Sequence, residues 1–287
     1  MDSTVLITSV SLSILALISA VILYFVARKF KVFEDARIDE IQEVLPAGNC
    51  GGCGYPGCRN FAEVLVKSGT FDGLNCPVGG AEVMNKAARI LGREAPAVDP
   101  LVAVLLCNGS PENRPFTSKY DGAPDCRIIH NLYIGESDCS YGCLGNGDCV
   151  RACSFDGIHM DAVTHLPVVD NAVCLACGSC VKACPRNLLE LRKKAKKDRK
   201  IYVACSNCDK GAAARKACKV ACIACNKCVK VCQSGAITIE NNLAYIDATK
   251  CTFCRKCVTE CPVNAIIELN LPPRKEKELV HNEQVSV

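Results

Sequence analysis

From Ser3 to Ala27 no position carries a charge, and most are Val, Leu, Ile or Ala. As a helix this stretch reaches about 37 Å, enough to cross a hydrocarbon core of about 30 Å with some tilt, so the pattern predicts one transmembrane anchor. Arg28, Lys29 and Lys31 follow it, whereas Asp2 is the one charge before it. That bias places the rest of the chain in the cytoplasm. A cleaved leader fits worse, because no basic residue precedes the run, the run is long and no small-x-small site follows. Beyond the anchor the apolar positions become periodic. Val32, Ala36, Ile38, Ile41, Val44 and Leu45 recur among acids and predict an amphipathic helix over Phe33–Leu45, stopped by Pro46. Phe61, Val64 and Leu65 predict a short helix, and Ala81–Leu91 another. The Pro-bearing stretch Ala95–Pro100 reads as a linker. Leu101–Leu106 and Lys200–Ala204 read as short apolar strands ending at Cys107 and Cys205. If the two strands pair, these cysteines emerge side by side.

Cysteine dominates the chemistry. The 287 residues include 25 cysteines, about 9 %, near the level that signals a cysteine-built scaffold. Disulfide scaffolds are short secreted chains, whereas these cysteines fall in close-spaced runs suited to a metal and need a reducing compartment. Cys222, Cys225, Cys228 and Cys232, then Cys251, Cys254, Cys257 and Cys261 followed by Pro262, repeat the run in which three cysteines two residues apart grip one cluster and the fourth reaches its neighbour. This predicts Cys222, Cys225, Cys228 and Cys261 on one [4Fe–4S] cluster, with Cys251, Cys254, Cys257 and Cys232 on another. Structural zinc needs neither the third cysteine nor the fourth.

A looser copy lies upstream, with Cys139, Cys143, Cys149 and Cys153, then Cys174, Cys177, Cys180 and Cys184 before Pro185. Val169-Asp170 answers Ile246-Asp247, and Leu188–Leu191 answers Ile266–Leu269. The same exchange puts Cys139, Cys143, Cys149 and Cys184 on one cluster and Cys174, Cys177, Cys180 and Cys153 on the other. Ser154 and Gln233 stand where proline is expected, which weakens the exchange at Cys153 and Cys232. Nearer the anchor, Cys50, Cys53, Cys58 and Cys76 sit in a glycine-rich setting that suits one further cluster, with zinc the rival for a lone four-cysteine site. Five clusters follow. A sixth could be held by four of Cys107, Cys126, Cys205, Cys208 and Cys218, the sequence favouring Cys208 as the thiol left over. Free buried thiols are the alternative there.

The remaining features narrow the class. A formal charge of +4 argues neither for nor against nucleic acid, and 5 % aromatic content without Trp makes a large aromatic core improbable. Clusters can replace much of such a core, because metal binding contributes to folding. No Gly-x-Gly-x-x-Gly follows a strand, so the usual dinucleotide site is missing, and Gly142, Gly145 and Gly147 serve a cluster loop. None of His130, His159, His165 and His281 stands in a Rieske pattern. The run Arg192–Lys200 reads as a solvated linker, or as a docking patch for an acidic carrier.

The fold class expected is α+β: an anchor (1–31), a helical [4Fe–4S] module (32–95), a strand and loop segment (96–134), a first ferredoxin-like unit (135–192), a basic linker and strand (193–221), a second ferredoxin-like unit (222–271) and a disordered tail (272–287). With the anchor, the module Asn49–Cys58 and the twin bacterial-type 2[4Fe–4S] units in this order, the chain resembles the B subunits of the Rnf complexes, in their long multi-cluster form. The resemblance implies a subunit of an ion-translocating oxidoreductase in the bacterial cytoplasmic membrane, partnered by other subunits. It implies soluble ferredoxin as electron donor, NAD⁺ reduction on another subunit, Na⁺ or H⁺ as the coupling ion, and no nucleic acid. No residue is expected to act as acid, base or nucleophile. A reductase that keeps a redox-sensing transcription factor reduced, a membrane-bound iron–sulfur sensor and a zinc scaffold are the alternatives.

Overall fold

The computed structural model describes residues 3–29, 35–95 and 99–273. Lys31, the start of the helix expected from Phe33, the middle of the 95–100 linker, His281 and the tail beyond 273 lie outside the described residues. Helix α1 (Ser3–Lys29) contains Leu6–Lys29, which is long and apolar enough to cross a membrane by length and composition. Its side chains from Leu6 onward are all exposed, so nothing else among the described residues covers them.

The helical module is α2 (Ala36–Val44), α3 (Cys58–Lys67) and α4 (Gly80–Leu91). Asp35 caps α2 by accepting from the Arg37 amide at 3.0 Å. The apolar stripes of the three helices meet in a core that includes Ile41, Phe61, Leu65, Met84 and Ala87, all buried.

Each ferredoxin-like unit is a strand, a short helix, a hairpin, a second short helix and a closing strand. The first unit has β1 (Leu101–Leu105), then α5 (Cys126–Leu132) in an inserted loop, α6 (Asp148–Arg151), β2 (Ile158–Met160), β3 (Pro167–Val169), α7 (Ser179–Ala183) and β4 (Leu189–Lys193). The second has β5 (Lys200–Val203), an inserted α8 (Gly211–Ala217), α9 (Lys227–Val231), β6 (Ile237–Glu240), β7 (Leu243–Ile246), α10 (Lys256–Thr259) and β8 (Ile266–Leu269).

The two apolar strands do not pair with each other. β1 pairs antiparallel with β4 and β5 with β8, so each closes its own unit. Val104 of β1 nevertheless packs against Tyr202 and Ala204, and the Asn108 amide donates to Ala204 O at 3.0 Å. Cys107 and Cys205 therefore do emerge together, through packing of two sheets rather than a shared ladder.

The basic run is not one solvated face. Arg192 and Lys200 are buried. Arg192 pairs with Glu190 and lies over the rings of Tyr202 and Tyr245, while Lys200 donates to Asn171 Oδ1 at 2.6 Å. Lys196 and Lys197 between them are exposed.

Candidate metal centres

Twenty of the cysteines surround five cavities, four to each. One in the helical module is lined by Cys50, Cys53, Cys58 and Cys76. Two in the second unit are lined by Cys222, Cys225, Cys228 and Cys261, and by Cys232, Cys251, Cys254 and Cys257, which is the exchange the spacing implies. In the first unit Cys153, Cys174, Cys177 and Cys180 share a cavity, although Ser154 stands in the proline position. About 300 to 390 Å³ lies between the atoms at each site, open solvent at the mouth included.

The fifth cavity differs from the sequence grouping. It is lined by Cys126, Cys143, Cys149 and Cys184, and Cys139 is not at its wall. Two carboxylates account for this. Asp125 caps α5 by accepting from the Arg127 and Ile128 amides at 2.8 and 3.1 Å, and the buried Asp148 accepts from the Cys126 amide at 3.0 and 3.1 Å. Asp148 thus ties the inserted helix to the first cluster loop and delivers Cys126.

Cys139 joins the leftover thiols instead. Asn207, almost fully buried, brings its Nδ2 to 3.6 Å from Cys139 Sγ and donates its amide to Cys205 Sγ at 3.4 Å. The thiols of Cys107 and Cys139 lie close enough to Cys218 to raise its pKa, behind the larger effect of burial. Cys208 turns its Sγ toward Ser206 O at 3.7 Å, within its own loop.

The backbone is shaped alike around these cavities. Asp156, Asn187, Gly235 and Asn264, each three residues beyond the last cysteine of a run, have φ between 52° and 61°. Ala176, Ala224 and Phe253, each just before the second cysteine of a Cys-x-x-Cys, have φ between 52° and 60°. Non-glycine residues adopt this left-handed region at a cost and keep it where the surroundings enforce it. The turns aim amides at sulfur: Leu188 N donates to Cys184 Sγ at 3.4 Å, Ala265 N to Cys261 Sγ at 3.3 Å and Gly79 N to Cys76 Sγ at 3.3 Å. Such donors stabilise thiolate and tune cluster potentials.

Burial pushes the Cys143, Cys149, Cys205 and Cys257 thiols up to about 12, and Cys180 and Cys228 up to about 11. A metal must displace those protons, and its binding free energy drives the exchange. Among the described residues, no three Cys, His, Asp or Glu side chains converge tightly enough for a single metal ion. The thiols stand back around a space, as a multi-atom cluster requires and a lone zinc does not. The residues therefore fit [4Fe–4S] clusters.

Comparison with known proteins agrees. A "4Fe-4S dicluster domain" model matches residues 221–265, a "4Fe-4S binding domain" model residues 167–190, and an "Fe-S cluster" model residues 45–78. The B subunit of the Na⁺-translocating ferredoxin:NAD⁺ oxidoreductase complex of Acetobacterium woodii is 42 % identical over 256 residues, 89 % of this chain and 75 % of that protein. The B subunit of the proton-translocating ferredoxin:NAD⁺ oxidoreductase complex of Clostridium ljungdahlii is 37 % identical over 87 % of this chain and 86 % of its own length. The B subunit of the ion-translocating oxidoreductase complex of Methanosarcina acetivorans is 38 % identical over 92 % and 98 %. With that coverage and the iron–sulfur domains in the same chain, the protein belongs to the B-subunit family of the ion-translocating ferredoxin:NAD⁺ oxidoreductase complexes, the Rnf complexes.

Proposed function

We propose that this subunit is the cluster-bearing relay of its complex. It takes single electrons from reduced ferredoxin and passes them toward subunits that reduce NAD⁺ and move Na⁺ or H⁺. The observation that carries the reading is an unbroken succession of thiol groups. The Cys50/Cys53/Cys58/Cys76 group abuts the Cys153/Cys174/Cys177/Cys180 group at Gly52, where a Cβ would lie 2.7 Å from Cys177 O. Cys180 in turn lies near Cys149. Cys143 lies near Cys107, and Cys205 Sγ accepts from the Cys222 amide at 3.3 Å. Cys228 completes the series beside Cys257.

Six clusters would occupy it: one on each of the five four-cysteine cavities and one on Cys107, Cys139, Cys205 and Cys218, with Cys208 spare. When bound, each supplies reversible one-electron uptake. The chain's own residues hold the thiolates, exclude water and donate amides to sulfur, and no side chain need transfer a proton. The succession starts at the module that follows α1 and ends at the Cys232/Cys251/Cys254/Cys257 group. There Cys254 is exposed, Arg199 lies over the Phe253 ring at 5.1 Å, and Lys196 and Lys197 face solvent. Such a field would draw an acidic carrier protein. With α1 across the cytoplasmic membrane, all these groups would stand in the cytoplasm.

Anaerobic rapid mixing of the cluster-loaded full-length chain with reduced ferredoxin tests the reading. The expected result is bleaching of cluster absorbance, slowed by added salt. Protein that bleaches with a small chemical reductant and not with reduced ferredoxin would contradict the assignment of the donor.

A further inference from the structure

Two guanidinium groups lie where the middle of the thiol succession changes hands. Arg114 is 7 % exposed, and its side chain runs past Gly109 close to Cys107 Sγ. Its Nη2 donates to Cys143 O at 2.6 Å and its Nε to Gly109 O at 3.3 Å. Arg186 lines the Cys126/Cys143/Cys149/Cys184 cavity, and its guanidinium donates to the carbonyl oxygens of Ile134, Cys139 and Gly142. Arg186 Nε is buried without a hydrogen-bond partner.

Every hydrogen bond from either guanidinium goes to a backbone carbonyl, and no carboxylate answers them among the described residues. The two guanidiniums grip one loop side by side, Arg186 on the Gly142 carbonyl and Arg114 on the Cys143 carbonyl next to it, so their charges oppose each other. Two like charges, Arg114 buried and Arg186 half-buried, are costly to hold together unless an anion answers them. The chain also makes room for one of them, since a Cβ on Gly142 would meet Arg114 Cζ at 3.0 Å and crowd its Nη1.

We propose that Arg114 and Arg186 are the countercharge of the two middle sites, the Cys126/Cys143/Cys149/Cys184 group and the Cys107/Cys139/Cys205/Cys218 group, and make these the sites where an electron rests longest. This depends on the cluster assignment above. A cluster held by four thiolates is an anion in both oxidation states and becomes more negative by one charge when it accepts an electron from its neighbour. Net charge and hydrogen bonding around the sulfurs set the potential. Fixed cations beside the middle sites favour the reduced state there, and among the described residues the outer four sites lack such a pair, one guanidinium buried and the other half-buried, with no carboxylate on either. The electron is later given up unchanged to the next site, so no proton or bond rearrangement is needed.

The test is an EPR-monitored redox titration of the anaerobically purified full-length chain, with iron and sulfide measured on the same samples. In the parent protein the highest-potential step is expected to belong to the middle pair. Arg114→Gln should move that step down by at least the tenfold change in equilibrium that about 59 mV represents for one electron, with the remaining steps in place. Arg114→Lys, which keeps the charge but not the planar fork, should stay within that shift. Gly142→Ala, which crowds the guanidinium out, should lower the same step.

Unchanged midpoints in Arg114→Gln or in Gly142→Ala, or equal shifts in the Gln and Lys variants, would overturn the proposal. Equal shifts would leave the arginines as staples for loop carbonyls. If Arg114→Gln loses iron, the Lys variant decides, since full iron with parent midpoints upholds the countercharge role and iron loss there too overturns it. Absence of iron from the middle sites in the parent protein would instead defeat the cluster assignment itself.

Discussion

The residue that does most to shape the first unit is Asp148, which is not a cysteine at all. Its buried carboxylate holds the Cys126 amide and pairs with Arg151. Asp148→Ala would leave that half-buried amide without its partner, a loss toward the lower end of the about 1–3 kcal/mol of a fully buried donor. Arg151, more than half exposed, keeps its hydrogen bonds to Asn146 O and Pro124 O. The expected outcome is a chain that folds but releases iron from one site faster, measured as iron retained against time in a chelator. Asp148→Asn keeps an acceptor oxygen and should retain more. Equal iron retention in parent and Asp148→Ala would argue against Cys126 as a ligand. Spacing alone could not reveal this. Cys139 lies only four residues before Cys143 and looks like the natural member of the run, whereas Cys126 reaches the cavity through a helix cap and a carboxylate 22 residues away. Gly142 was equally opaque. Its sequence setting assigns it to a cluster loop, but its missing Cβ gives space to Arg114, a contact between residues 28 positions apart.

At the scale of elements, the helical module and the ferredoxin units are held in different ways. The module has its own apolar core, in which full burial of side chains such as Phe61, Leu65 and Met84 is worth about 1.5–3 kcal/mol each. In the second unit three members of the buried cluster, Cys222, Cys228 and Cys257, are cysteines, against Cys76 alone in the core of the module. Removing iron should therefore expose the amides of α6, α7, α9, α10 and the hairpins first, while α2, α3 and α4 keep much of their protection. Hydrogen exchange before and after chelation reads this directly, and uniform loss of protection along the chain would contradict it. The elements themselves were largely legible. The uncharged apolar run located α1, and periodicity located α2 to α4. Strand partners were not, because a five-residue apolar run does not say which other run it joins. Leu188–Leu191 and Ile266–Leu269 stand out in the sequence as a repeat, yet it takes the fold to show that they close β1 and β5.

Across the whole molecule, insertion and repetition work together. Each ferredoxin-like unit carries an inserted loop between its opening strand and its first cluster loop, and the two insertions meet: Lys219 N donates to Asn113 O at 2.8 Å, and Ser206 Oγ to Leu106 O at 2.9 Å. The leftover thiols gather at that meeting, which joins two separate two-site units into one series. Arg192 and Lys200 also link the two units, Arg192 of β4 lying over Tyr202 and Tyr245 and Lys200 of β5 donating to Asn171 Oδ1, so a stretch that reads as a charged linker is partly an internal brace. The most direct measurement is the iron and acid-labile sulfide content of the anaerobically purified full-length protein, with Mössbauer spectra to identify the cluster type. Six clusters predict about twenty-four irons and as many sulfides per chain, all in [4Fe–4S] form. Stoichiometric zinc, or cystines in place of iron-bound thiolates, would contradict the account.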